Sequence, residues 1–298
     1  MRNLFSKKIQ EVVLQDEKII FVTGDLGYNA LENLRNSIPD RFINAGVAEQ
    51  NMIGMAAGLA YKGFKVFCYS IAPFITYRCL EQIRLDVCIH KLPVFIVGNG
   101  GGYGYGIMGA THHAIEDLAC LSSLPNIDCW IPNIDDDVPF VIDEILKNKK
   151  PAYLRLGKNV KNPFGTPPEI ISQLKKSPQP RVTIISQGAV TQNVIEATEN
   201  SSDIDIFTVS KLPLLEIPIN LKQSILQSKK LLIVEEHVFR GGLSENVSLK
   251  LLENNIQLDK FKALYALGYP NELYGSQSYH QKISGLDKEN ILKVLTEL

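Results

Sequence analysis

The sequence predicts an α/β fold of two domains, each a mostly parallel sheet with helices on both faces. Short apolar runs, rich in β-branched and aromatic residues, alternate with longer helical patterns along the whole chain. The first-half runs are Ile19–Thr23, Lys65–Tyr69, Pro93–Val97, Ile127–Ile131 and Ala152–Leu156. Continuous apolar strands separated by helices are typical of a parallel sheet covered on both faces.

A proline-rich stretch predicts where the two domains join. Five prolines lie between Asn159 and Pro180, and the alternation resumes with Val182–Ser186. Proline interrupts regular structure and is common in linkers. We therefore expect one domain over residues 1–160, a linker over 161–180 and a second domain over 181–298.

Composition narrows the class of protein. The 298 residues carry a formal net charge of -1, which argues against nucleic acid as a partner because phosphate backbones require a clustered basic excess. No apolar run approaches the roughly 20 residues of a membrane span, so we expect no membrane partner. The five cysteines form no CxxC pair, which predicts reduced thiols in a cytoplasmic protein and no metal site on this chain.

The first chemically informative segment runs from Asn44 to Met52 and contains the carboxylate Glu49. Glu49 stands at the start of an apolar helical pattern whose small residues, from Gly54 to Ala60, leave one face nearly bare. Small residues allow another backbone or a flat ligand to approach closely. On the residues alone, Glu49 also fits a simpler role, complementing the positive end of the helix dipole.

Two later segments follow predicted strands, so they should lie at the carboxyl edge of the sheet, where open α/β sheets bind ligands. The first, Ser70–Arg78, contains Phe74, which fits either stacking on a ring or ordinary core packing. The second is a glycine-rich loop, Gly98–Gly106, which leads to His112 and His113. Neither nucleotide-binding glycine pattern is matched, so we expect the loop to reach towards a cofactor or a partner. Adjacent histidines point in different directions, which favours a catalytic role for one of them over a shared metal.

The order and spacing of these segments resemble the pyrimidine-binding domain of transketolases. The run GVAEQNMIGMAAGLAYKG is followed by SIAPF, LEQIR and LPVFIVG, then by a glycine loop that ends in THHAIEDLA. The second half, with LLIVEEHVFRGG, looks like the C-terminal domain of the same family. The chain therefore resembles the C-terminal half of a transketolase, an enzyme that uses thiamine diphosphate to transfer a two-carbon ketol unit from a ketose to an aldehyde.

The resemblance implies roles for particular residues. Glu49 is expected to hydrogen-bond N1′ of the cofactor's aminopyrimidine and to share its proton, which makes the ring the base for thiazolium C2. Phe74 matches the stacking aromatic, with Ala72 as an alternative because the segment is about one residue longer than usual. Arg78, Asp25 and Leu26 are expected near the cofactor, and His112 is expected to contact substrate oxygens.

The departures from the family pattern concern the substrate. Met108 occupies the place of an aspartate that binds a sugar hydroxyl, and methionine cannot replace that hydrogen bond. Arg2 and Lys158 match phosphate-binding positions, while the accompanying serine is replaced by Tyr28 or Asn29. We expect a phosphorylated or otherwise modified sugar, with a deoxy, branched or nucleotide-linked sugar as possible substrates.

The motif that holds the cofactor's diphosphate through Mg²⁺, GDG followed by paired asparagines, is absent: the chain has Gly24-Asp25-Leu26. The resemblance implies that an N-terminal transketolase subunit supplies this domain and holds Mg²⁺, in an α2β2 assembly. Its interface would include the glycine–alanine face of the Glu49 helix. Alternatives are the β subunit of a 2-oxoacid dehydrogenase's decarboxylating component, a pyruvate–aldehyde synthase of the deoxyxylulose-phosphate type, a non-catalytic subunit and a Rossmann-type dehydrogenase.

Overall fold

The computed structural model of the chain describes residues 1–27 and 29–298, which form two sheets flanked by helices. The first sheet has seven strands in the order β10-β5-β6-β4-β3-β1-β2, and all are parallel except β10. Its strands from the first half are β1 (Ile19–Thr23), β2 (Phe42–Asn44), β3 (Lys65–Ile71), β4 (Val94–Asn99), β5 (Asp128–Trp130) and β6 (Ala152–Leu156), joined by β10 (Lys211–Leu212).

The second sheet has five strands in the order β12-β11-β8-β9-β7, and β7 alone is antiparallel to its neighbour. Its strands are β7 (Ile171–Lys175), β8 (Val182–Gln187), β9 (Ile204–Val209), β11 (Lys230–Glu235) and β12 (Lys260–Leu264). The predicted fold class, α/β with two mostly parallel sheets, is confirmed.

Helices cover both faces of the sheets. Those of the first half are α1 (Arg2–Gln15), α2 (Glu32–Ser37), α3 (Glu49–Tyr61), α4 (Ala72–Thr76), α5 (Leu80–Gln82), α6 (Asp117–Ser122) and α7 (Asp137–Asn148); a π-helix, Ile83–Cys88, continues α5. Those of the second half are α8 (Thr191–Ala197), α9 (Ile219–Ser228), α10 (Leu243–Glu253), α11 (Gln277–Ile283) and α12 (Lys288–Glu297). None of the described helices is both long and apolar enough to cross a membrane.

Strand periodicity separates the two cores. In β1, Phe21 joins the core that contains Phe5 of α1, whereas Ile20 and Val22 join the core that contains Met52 of α3. Alternate side chains of a strand point to opposite faces, so an apolar run such as IIFVT requires cover on both sides. The structure provides it.

Two stretches differ from the prediction. Residues 161–180, expected as a linker, include strand β7, which pairs with β9 in the second sheet, so the irregular connection is confined to residues 157–170. The helix expected to begin near His113 begins instead at Asp117, because residues 106–111 form a 3-10 segment and Ala114 pairs with Gly102. The two-domain division itself we retain as a proposal, with this shorter connection.

Candidate active site

The strand order of the first sheet creates a crevice at its carboxyl edge. From β1 the chain continues to β2 on one side, whereas β3 lies on the other side of β1. Connections that diverge in this way open a crevice between the two strands, and ligands of open α/β sheets bind there. Residues 24–27 follow β1, residues 72–78 follow β3, and Glu49 follows β2.

Glu49 is buried in this crevice. It is the first residue of α3 and is 3 % exposed, and Arg78 Nη1 lies 3.3 Å from its Oε2. A Cβ on Gly24 would lie 3.8 Å from Glu49 Cγ and 3.6 Å from Ser70 Oγ, so these three residues face one another. A buried charge is stable only when it is paired, and Arg78 provides that pairing.

Arg78 also contacts Phe74. Its guanidinium carbon lies 4.3 Å from the centroid of the Phe74 ring, which is cation–π geometry. The cation thus covers one face of the ring that was expected to stack on the aminopyrimidine. A cofactor ring would therefore use the other face or displace Arg78.

His112 follows the 3-10 segment Gly106–Thr111 and faces the same crevice. Its ring centroid lies 5.0 Å from that of Phe74, in an edge-on arrangement, and Thr111 Oγ1 lies 2.8 Å from its Nδ1. A pocket of about 390 Å³ separates the two segments and is lined by Pro73, Phe74, Tyr77, Arg78, Ala110 and Thr111. The structure therefore brings Glu49, Phe74, Arg78 and His112 together.

His113 points away from the crevice. Its Nε2 lies 2.7 Å from the carbonyl oxygen of Gly106 and its Nδ1 lies 2.8 Å from the hydroxyl of Tyr269. Burial lowers its pKa to about 4, so it is neutral near pH 7. Of the two adjacent histidines, His112 is the one placed for catalysis.

Asp25 and Leu26 line a second pocket, of about 180 Å³, at the end of β1. The backbone N–H of Asp25 donates to Asn44 Oδ1 (3.0 Å), and Asn44 Nδ2 donates to Asp25 Oδ1 (2.8 Å). Leu26 is held by Thr23, whose hydroxyl donates to the Leu26 carbonyl at 2.8 Å. These bonds fix the turn after β1, where Asp25 has a positive φ of 58°.

The predicted substrate residues lie at the rim. Arg2 is exposed and lines a pocket of about 180 Å³ with Tyr69, Asn99 and Tyr105 among others. Lys158 is exposed, and its neighbour Asn159 accepts a 2.6 Å hydrogen bond from the amino group of Met1, which brings Lys158 and Arg2 to the same end of α1. The Met108 side chain is 53 % exposed on the glycine loop. Tyr28, one of the two candidates for the missing serine, lies outside the described residues.

Sequence reasoning missed three residues of this region. Tyr105 lies 5.7 Å from His112, centroid to centroid, and its hydroxyl accepts a 2.9 Å hydrogen bond from Asn99 Nδ2. Ser70 is fully buried, and its hydroxyl has no partner among the described residues. The position of Asn99 and Ser70 at strand ends was the available signal; nothing in the sequence indicated that Tyr105 would turn back to its own strand.

Comparison with known proteins places the chain. Residues 1–162 match the model of the transketolase pyrimidine-binding domain. This chain belongs to the transketolase family. Along its length it corresponds to the C-terminal subunit of a split transketolase, as the sequence resemblance predicted.

Relatives of both split and single-chain type support this. A subunit of the apulose-4-phosphate transketolase of Phocaeicola vulgatus is 28 % identical, with 99 % of this chain and 96 % of the relative covered. A putative transketolase C-terminal section of Methanocaldococcus jannaschii is 31 % identical, with 100 % and 95 % covered. The 1-deoxy-D-xylulose-5-phosphate synthase of Clostridium perfringens is 26 % identical over 99 % of this chain, which spans only 48 % of that relative.

A solved structure agrees over the full length. The structure described as a split gene transketolase, inactive beta4 tetramer, superposes with a TM-score of 0.83 at 26 % identity and covers 99 % of this transketolase chain and 96 % of its own.

Proposed function

We propose that this chain binds the aminopyrimidine half of thiamine diphosphate and that the diphosphate half is held, with Mg²⁺, by a separate N-terminal transketolase subunit. The reaction would be transfer of a two-carbon ketol unit from a ketose to an aldehyde. The observation that carries the proposal is the convergence of Glu49, Phe74, Arg78 and His112 in one crevice.

The residues in the crevice suit an aminopyrimidine. Glu49 offers a buried carboxyl group for a ring nitrogen, and Phe74 offers an aromatic face. Ser70 offers a buried hydroxyl without a partner among the described residues, beside Glu49. A buried polar group without a partner is costly, and a ring bearing an amino group would remove that cost.

The chain's own residues would act on protons and on orientation. Bound thiamine diphosphate supplies the carbon nucleophile for ketose cleavage. Glu49 would hold a proton at the pyrimidine nitrogen, and burial keeps water from competing for it. Thr111 fixes the ring of His112 through Nδ1, which leaves Nε2 to contact substrate oxygens.

The composition of the site supports a second polypeptide. Among residues 1–27 and 29–298, no group of three or more His, Cys, Asp and Glu residues is arranged to hold a metal ion. Mg²⁺ and the diphosphate would thus be held by the N-terminal subunit, and α2β2 is the assembly we propose. The five free cysteines are typical of a reducing compartment, so we propose a cytoplasmic location.

The partner would contact α3 beside the crevice, although not as the sequence suggested. Ala56, Ala57 and Ala60 are buried in this chain's own core, because they lie on the face of α3 that packs against the sheet. Gly54 and Gly58 face open space, and Val47 is 77 % exposed. The glycines therefore form the part of the face at which another backbone could approach.

The rim supports a phosphorylated substrate. Arg2 and Lys158 supply two cations near the crevice, and arginine in particular matches phosphate geometry. A relative is named for apulose 4-phosphate, which agrees with a sugar phosphate. Met108 cannot accept a hydrogen bond from a sugar hydroxyl, which favours a substrate that lacks the hydroxyl bound by the usual aspartate.

A pyruvate–aldehyde synthase is the second candidate, supported by the similarity to 1-deoxy-D-xylulose-5-phosphate synthases. Met108 disfavours it, because such synthases usually keep an aspartate at this position of the loop. Pyruvate and a ketose phosphate offered separately to the reconstituted pair would distinguish the two reactions by their products.

Calorimetric titration with thiamine diphosphate and Mg²⁺ tests the proposal. We expect weak or no binding by this chain alone and tight binding after the N-terminal subunit is added. Tight binding by the single chain would refute the shared site. Absence of binding by a stable mixture would refute the aminopyrimidine role.

A further inference from the structure

The loop that carries His112 is built to fit the second half of the chain. Residues 100–116 join β4 to α6, and Gly102 has a φ of +65°. A Cβ on Gly102 would lie 2.4 Å from Glu236 Oε1, and one on Gly106 would lie 3.1 Å from the backbone nitrogen of Gln277. Only glycine permits approaches this close. The glycines thus serve contact with the second half of the same chain, rather than reach towards a cofactor or partner.

Glu236 is the centre of that contact. It follows β11 and is 3 % exposed. Its Oε1 accepts hydrogen bonds from the backbone N–H of Tyr103 at 2.6 Å and from Gln277 Nε2 at 2.8 Å, and its Oε2 accepts from Gln281 Nε2. Hydrogen bonds to a charged acceptor are stronger than neutral ones. Through this one carboxylate, helix α11 and the loop are held together.

The two ends of the loop are then fixed to each other. Gly102 and Ala114 exchange backbone hydrogen bonds of 2.8 and 2.9 Å, and the hydroxyl of Tyr103 donates to the carbonyl of Gly268 at 3.1 Å. His113 bonds to both Gly106 and Tyr269. His112 lies between these attachments, so its position in the crevice depends on them.

We propose that Glu236 is a positioning residue: it holds the loop of His112 in place for catalysis without touching cofactor or substrate. This inference rests on the proposed function. It assigns the second half of the chain a part in the reaction, that of a rigid support for a site in the first half.

The neighbouring residue provides a matched control. Glu235 is 1 % exposed and lies on the same chain segment, but its carboxylate accepts hydrogen bonds from the backbone N–H groups of Leu243 (2.6 Å) and Ser244 (2.9 Å) at the start of α10. Glu235→Gln therefore perturbs an equally buried carboxylate that has no bond to the loop. Glu236→Gln replaces one acceptor oxygen by an N–H group, so at least one of its bonds to the loop or α11 is lost.

The test compares both variants as complexes with the N-terminal subunit. We expect Glu236→Gln to lower kcat by roughly ten- to a hundredfold, the scale for misplacing a catalytic group by about an ångström, with the Kd for thiamine diphosphate within about twofold. Glu235→Gln should leave kcat and KM unchanged. Equal losses in both variants, or a change in cofactor affinity instead of kcat, would overturn the proposal.

Hydrogen exchange provides a readout that does not depend on activity. The Tyr103 amide should exchange faster in Glu236→Gln and at the wild-type rate in Glu235→Gln, in this chain alone. Gly102→Ala disturbs the same contact from the loop side and serves if Glu236→Gln fails to fold. An inactive wild-type pair would refute the proposed function, whereas an unchanged Tyr103 amide would refute the positioning role. Faster exchange with unaltered kcat would show that the contact exists but does not serve catalysis.

Discussion

Replacing Glu49 by glutamine tests the chemistry at the centre of the crevice. Glutamine keeps the shape of the side chain and removes the group that holds a proton. Its ion-pair partner Arg78 has a side chain that is 48 % exposed and remains solvated after the change. We therefore expect the free energy of unfolding to change by about 1 kcal/mol or less.

The effect on catalysis should be much larger. Glu49 is the buried acid of the crevice, and Arg78 beside it cannot exchange a proton near neutral pH. Proton transfer by a positioned side chain contributes roughly 10²- to 10⁴-fold, so kcat should fall by that factor, or about 3–5 kcal/mol in activation free energy. The Kd for thiamine diphosphate should rise by roughly tenfold or more, the scale of one hydrogen bond to a charged group.

The assay measures kcat for ketose cleavage by the complex with the N-terminal subunit, at saturating thiamine diphosphate and Mg²⁺. Glu81→Gln is the control, because Glu81 is exposed and lies only three residues beyond Arg78. A Glu49→Gln complex that retains more than about a third of wild-type kcat, well outside the expected range, would refute the reasoning.

Three further predictions concern the buried ion pair, the rim and pH. Arg155→Met leaves Asp117, which pairs with Arg155 at 2.9 Å in the interior, without its cation, and should cost about 3–5 kcal/mol of unfolding free energy in urea; a loss below about 1 kcal/mol would contradict this. Met108→Asp should raise the preference in kcat/KM for a hydroxylated donor over its deoxy analogue by roughly tenfold, and an unchanged ratio would show that Met108 does not face the substrate. Burial lowers the pKa of His237 to about 4 from 6.5; the folded state then binds fewer protons than the unfolded state between these values, so stability falls as the pH drops from 6.5 towards 4. His237→Gln should flatten that fall by up to about 3 kcal/mol in unfolding titrations, and identical slopes would refute it.

The sequence was sufficient where the signal was local. The apolar run at β1 predicts a buried parallel strand because its composition and length leave few alternatives. Glu49 and His112 could be singled out because their motifs stand in a fixed order along the chain. The carboxyl edge of the sheet could be placed because parallel strands end together.

The rest depended on contacts between residues far apart in the chain. Tyr103 and Glu236 are separated by 133 positions, and no pattern around either predicts the other. The purpose of the glycine loop was therefore misjudged, because close approach explains a glycine without saying what approaches. Arg78 likewise covers Phe74 only because a 3-10 turn, Tyr77–Cys79, follows α4. Helix α1 was missed although Phe5, Ile9 and Val12 lie on its buried side, since its charges obscured the period.

Strand β10 ties the two halves of the chain in a way that affects how the protein can be made. The edge of the first sheet beside β5 is completed by Lys211 and Leu212, which pair with Trp130 and Cys129. A fragment that ends near residue 160 would leave that edge bare, and bare strand edges recruit other chains. During synthesis the first sheet likewise stays incomplete until residue 212 has emerged from the ribosome. Separate expression of the first half is thus expected to yield an aggregating fragment rather than an independent cofactor-binding module.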